Sequence, residues 1–98
     1  MSKFLILWEG VPGYTPADPK ERAELLGRMM EMTKKALDEG QVTDWGIFAG
    51  GSAGYGISEG TAADALKGAM QFNPYIKFTV HPVLSLNEVA EVMKSMTG

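Results

Sequence analysis

The segment Phe4–Leu5–Ile6–Leu7–Trp8 sets the hardest constraint on this chain. Side chains of a strand alternate between its two faces. Phe4, Ile6 and Trp8 therefore share one face, and Leu5 and Leu7 make the opposite face apolar too. A strand apolar on both faces is normally buried on both, so it needs one layer of structure above it and another below. The chain has 98 residues, room for a single domain. A domain of that size buries only about 60–65% of its unfolded surface. The second layer has to come from the rest of this short chain or from outside it.

Local signals order the remaining elements. Gly10–Val11–Pro12–Gly13–Tyr14–Thr15–Pro16–Ala17 is a loop, dense in glycine and proline. Asp18–Pro19–Lys20–Glu21 opens a helix, with Asp18 as cap, Pro19 at the first helical position and Glu21 at the capping-box position. Its apolar stripe is expected at Leu26, Met29, Met30, Thr33 and Leu37, and Gly40 ends it as a left-handed cap. Val42–Ala49 is a second strand, Gly50–Ala53 a tight reversal and Gly54–Glu59 a third strand, together a hairpin. Thr61 with Asp64 caps a second helix, whose buried stripe is expected at Ala62, Ala65, Leu66, Ala69 and Met70. Asn73–Pro74 stops it. Ile76–Val83 is the fourth strand, and Ser85 with Glu88 opens a short final helix with its stripe at Val89, Val92, Met93 and Met96.

The order βαββαβ plus a terminal helix predicts one α+β domain over residues 1–98, of ferredoxin-like type. A four-stranded antiparallel sheet carries its helices on one face. On the fourth strand Ile76, Phe78 and Val80 are expected under the helices, with Lys77, Thr79 and His81 on the bare face. The terminal helix is long enough to cover an edge of that face, not the whole. A second copy of the chain would cover it, so the expectation is a symmetric homodimer with the two sheets packed face to face. The competing reading is a modest exposed apolar patch of the kind most monomers carry.

Composition narrows the chemistry. There is no cysteine and one histidine, which removes disulfides, thiolate nucleophiles, iron–sulfur clusters and cysteine- or histidine-rich metal sites within one chain. No cofactor is expected. Nine basic against twelve acidic residues disfavour a phosphate-tracking surface. Gly54–Tyr55–Gly56–Ile57 echoes the core of the RNA-recognition motif, but that motif wants a basic residue at Ala53, valine at Ser58 and an aromatic at Gly60. Nucleic acid is therefore not an expected partner. The run Gly50–Gly56 lies between two strands, where glycines serve the turn; a phosphate loop would lead into a helix. The N-terminal apolar run is too short for a signal segment or membrane span, so a cytoplasmic protein without a membrane partner is expected.

The strand Lys3–Trp8, the segment Gly54–Tyr55–Gly56–Ile57–Ser58–Glu59, the alanine-rich helix after it and Phe78–Thr79–Val80–His81–Pro82–Val83–Leu84 resemble small members of the dimeric α/β-barrel superfamily. That group also holds muconolactone isomerase-like, YciI-like and antibiotic-biosynthesis-monooxygenase-like proteins. The resemblance implies a barrel of two sheets, with a pocket between sheet and helices or at the barrel mouth. It names no reaction, since enzymes and binders share the scaffold.

His81 is the only histidine, the residue type most used for proton transfer, and is thus the acid–base candidate. Glu59 is its candidate partner, either as base or simply bonding backbone at the next helix start. Tyr55, Trp45, Thr79 and Lys77 are candidate substrate-binding residues, and Trp8 and Phe48 would extend an aromatic wall. The same residues serve equally as core and interface. Two functions stay open: proton transfer on a small, partly aromatic or enol-like metabolite, or non-catalytic binding of a small ligand or protein partner.

Overall fold

A computed structural model describes residues 2–97. Strand β1 (Ser2–Gly10) lies inside the sheet, yet only its Phe4 is buried and Leu7 on the opposite face stays exposed. It pairs antiparallel with β3 (Ala53–Gly60) on one edge and β4 (Ile76–Val83) on the other. Strand β2 (Val42–Ile47) pairs with β3, giving the order β2-β3-β1-β4 in an antiparallel four-stranded sheet. With helices α1 (Pro19–Asp38), α2 (Ala62–Met70) and α3 (Leu86–Thr97), the chain is a ferredoxin-like α+β domain with an added C-terminal helix.

The expected punctuation is in place. The Asp18 carboxylate accepts the Glu21 N–H at 3.2 Å, and Gly40, at φ +77°, leads the chain out of α1. Thr61 and Asp64 form a reciprocal capping box at α2, both bonds at 3.1 Å. Ser85 and Glu88 do the same for α3, at 3.0 and 3.1 Å. Strand β2 stops at Ile47, two residues before the expected end, because the chain already reverses there: the Gly51 N–H donates to the Phe48 carbonyl at 2.8 Å.

The helix stripes differ from the expectation in an informative way. In α1 the buried residue is Leu25, with Met29, Met32, Thr33 and Ala36 half-buried, while Leu26 and Met30 stay about half exposed. In α2 only Ala65 is buried, and Leu66 and Met70 are exposed. No residue of α3 is buried at all. On the helix side of β4, Val80 remains exposed. In α1 the cause is that no substantial contact joins it to α2, so Leu26 and Met30 line an open cleft; Leu66 and Met70 of α2 do not line that cleft. The buried apolar core among the described residues is Phe4, Leu25 and Ala65, with no large side chain wholly enclosed. Among the described residues, no helix is long and apolar enough to cross a membrane.

Candidate functional site

Two surfaces flank the sheet, and β3 determines both. On the helix side it presents Gly54, Gly56 and Ser58; on the bare side, Tyr55 and Ile57, while Glu59, near the strand's end, also borders the helix-side cleft. The glycines leave bare backbone between β1 and β2. Trp8, paired with Gly54, and Trp45, paired with Gly56, lean over it from opposite sides and stack, with ring centroids 5.5 Å apart and planes within 7°. The Trp8 indole N–H donates to the Tyr55 carbonyl at 3.3 Å. A methyl group on Gly54 would overlap both the Trp8 ring and the Gly46 carbonyl, whereas at Gly56 it would meet Trp45 at an ordinary 3.8 Å. The Gly-x-Gly of β3 thus makes space for an indole pair.

The stacked rings belong to the floor of a cleft of about 1060 Å³ between the sheet, α1 and α2. Met29 and Met32 line it from α1, Ile6 and Phe78 from the sheet, and Phe72 from the segment after α2. The walls are largely apolar. Ser58, buried among the described residues, supplies a hydroxyl at the floor. Arg22, Lys35, Glu39, Glu59, Asp64 and Lys67 bring charge to its lining. Predominantly apolar walls with polar groups among them are common in small-molecule pockets.

The bare face carries most of the residues expected to do chemistry. Tyr55 lies across β2, its ring over Gly46, where a Cβ would come within 2.5 Å of it. Its hydroxyl donates to the Asp44 carboxylate at 2.9 Å. That bond, aided by partial desolvation and the nearby negative charge, raises the Tyr55 pKa above the ordinary phenol value. A one-residue bulge between Val42 and Asp44 makes the contact possible. It re-phases β2 so that Val42 and Trp45 both face the cleft while Asp44 faces the bare side.

The register also decides which candidates meet. Tyr55 and Thr79 flank Leu7, and Ile57 and His81 flank Leu5, so Tyr55, Thr79 and His81 share one face. Lys77 lies farther along β4 and is engaged with Glu9, Nζ to Oε1 3.8 Å. Glu59 pairs with Lys3, and Lys3 with Val83; this sets Glu59 two strands across and two residues along from His81, about 12 Å between backbones. His81 and Glu59 are therefore not in contact within one chain. Trp45 is on the opposite side of the sheet from Tyr55, and Phe48 is exposed in the hairpin. Sequence reasoning grouped Trp45 with Tyr55 because aromatic character alone does not fix a face. The hairpin loop is longer than the Gly50–Ala53 turn expected from the sequence: Ile47 pairs with Gly54, which places Trp45 opposite Gly56. Ser58 was missed as a cleft residue, although the period-two series Gly54, Gly56, Ser58 is its signal.

Fold and site together define a ferredoxin-like α+β domain with an apolar, tryptophan-floored cleft between sheet and helices. The chain belongs to the DUF3303 family, a domain of unknown function, whose family model matches residues 2–97. No curated protein matches it.

Proposed function

We propose that this protein is a homodimeric small-molecule-binding protein whose ligand, an apolar and at least partly planar metabolite, occupies the cleft above the Trp8–Trp45 stack. One observation carries the reading: a cleft of about 1060 Å³ whose floor is a pair of parallel indoles over bare glycine backbone. Flat aromatic surface favours planar ligands by offset stacking. The Ser58 hydroxyl is the polar handle at depth, and the charged residues of the lining suit a ligand with one solvent-facing polar end. The dimer follows from Leu5, Leu7, Ile57 and Val83 on the uncovered face. The resemblance to dimeric α/β-barrel proteins, muconolactone isomerase-like and YciI-like ones among them, supports the two sheets meeting there.

Non-catalytic binding fits better than proton transfer at this cleft, because His81 is on the other side of the sheet and Glu59 is about 12 Å from it. A proton-transfer reading is favoured by a separate observation, the alignment of Tyr55, Thr79 and His81 on the face assigned to the dimer seam. There a second chain would bring a second set of the same groups.

Both tryptophans of the chain lie in the cleft floor, so intrinsic emission reports on it alone. Titration with trans-cinnamate and with decanoate is expected to give saturable changes in emission. A ligand at 100 times its dissociation constant is expected to raise stability by about 2.7 kcal/mol. Emission and melting temperature unmoved by both probes at millimolar concentration would refute the cleft as a binding site. Under the second reading, His81→Gln would abolish turnover of a bound metabolite while leaving the emission titration unchanged.

A further inference from the structure

Helix α3 is an amphipathic helix with nothing to pack against. Its reciprocal Ser85–Glu88 cap fixes where it starts, and only Leu84 and Ser85 separate it from β4. One side carries Val89, Val92, Met93 and Met96, all exposed, the last at 80%. The helix makes no substantial contact with any other element, and the molecule extends to 61 × 25 × 23 Å. Its radius of gyration is 16.3 Å, against about 12.6 Å for a compact chain of this length.

The surface area points to what covers this helix. The chain exposes 7251 Å², whereas a compact monomer of its mass exposes about 5,500 Å². The surplus of about 1,800 Å² is more than twice the roughly 800 Å² that each partner contributes to a standard stable interface. It is enough for a sheet contact and a second contact made by α3. The apolar surface is also continuous, since Val83 stands on the bare sheet face with Leu5, and Leu84 and Leu86 lead from it into the α3 stripe.

We infer that α3 is an exchanged arm: each chain lays its Val89–Val92–Met93–Met96 stripe on the body of a second copy, and each receives the other's in return. The inference rests on the homodimer reading and adds the element that locks it. An exchanged arm of this kind is isologous, so the two contacts form together and close the assembly at two chains.

The test uses the full chain. Because the helix has no buried residue in its own chain, Val92→Asp with Met96→Asp is expected to leave the far-ultraviolet circular dichroism of the body unchanged. Sedimentation equilibrium is expected to show self-association weakened by on the order of 100-fold. The absence of native cysteine allows a second, direct measurement. A chain carrying spin labels at Ala49→Cys, in the hairpin at the far end of the sheet, and at Ser95→Cys, on α3, is diluted into excess unlabelled protein. The intrachain distance is expected to exceed the roughly 33 Å diameter of a compact domain of this size. A shorter distance means that the helix folds back on its own chain, and the arm is refuted. A double variant that associates as tightly as the unmodified chain refutes the arm and leaves the sheet-to-sheet dimer standing. An unmodified chain that is monomeric at 100 µM refutes both.

Discussion

Gly54 and Gly56 are two residues apart on the same strand face, and alanine at each is expected to act in opposite directions. Neither has a positive φ, so backbone conformation favours neither outcome. At Gly54 the new methyl overlaps the Trp8 ring and the Gly46 carbonyl oxygen. The carbonyl is a hydrogen-bonded part of the hairpin and cannot move alone, so Trp8 must leave the stack or β2 must separate. Overpacking of this kind costs about 1–3 kcal/mol, and loss of the aromatic pair about 0.5–1.5 kcal/mol more. The expected destabilisation is therefore about 2–4 kcal/mol, or a fall in melting temperature of roughly 10–25 °C for a domain of this size. At Gly56 the methyl meets Trp45 at 3.8 Å and the Asp44 carbonyl at the same distance. Ordinary contact, together with reduced freedom of the unfolded chain, is expected to stabilise by about 0.4–1 kcal/mol. Urea unfolding followed by tryptophan emission, at equal chain concentrations for all variants, gives both values. Near-ultraviolet circular dichroism shows whether the indole pair survives. If Gly56→Ala proves as damaging as Gly54→Ala, the glycines are not there to seat the indoles and the indole-over-glycine floor is refuted.

Other consequences follow from the bare face and the helix caps. Asp44→Asn replaces the carboxylate with an uncharged, weaker amide acceptor, and ultraviolet titration is expected to show the Tyr55 phenol returning toward its ordinary value. Because the folded-state value is raised, Tyr55 contributes its full stabilisation below the unfolded phenol pKa and loses it as pH rises through the folded value. Asp64 and Glu88 are held below the usual carboxylate range, first by the backbone N–H of Thr61 and of Ser85 and then by those hydroxyls. Their contribution is thus present above the unfolded carboxylate pKa and is lost as pH falls through the folded values; stability measured from pH 7 down to pH 2 is expected to show this. Thr61→Ala is expected to lower global stability by about 1 kcal/mol in urea unfolding.

The order and type of every element were legible because each carries its own local signal. The capping residues Asp18, Thr61 and Ser85 mark helix starts, Gly40 marks a helix end, and the alternation over Ile76–Val83 marks a strand whose limits match the structure. Stripe assignment was less legible. Leu26, Met30, Leu66 and Met70 have helical spacing, but spacing alone cannot reveal that α1 and α2 leave an open cleft at Leu26 and Met30, or that Leu66 and Met70 do not line it. The bulge at Thr43 was also hidden, since an extra residue in an edge strand disturbs alternation without any marker residue. It alone explains why Asp44, not a residue of the regular pattern, receives the Tyr55 hydroxyl. The site was legible in its residue types but not in its grouping. Tyr55, Trp45, Thr79, Lys77, Glu59 and His81 lie on two sides of one sheet, and only strand register separates them.

Leu5 and Leu7, the residues with which the sequence sets its first constraint, still face outward on the bare side of the sheet. The core beneath the helices holds only Phe4, Leu25 and Ala65 as buried apolar residues. Pairing with a second copy is the proposed cover for that face. Sedimentation velocity on the unmodified protein at low micromolar concentration tests that pairing without any variant or label. A single species of twice 10.6 kDa is expected. A clean 10.6 kDa species at the same concentration would contradict it, and would leave the double-sided apolar strand uncovered in solution.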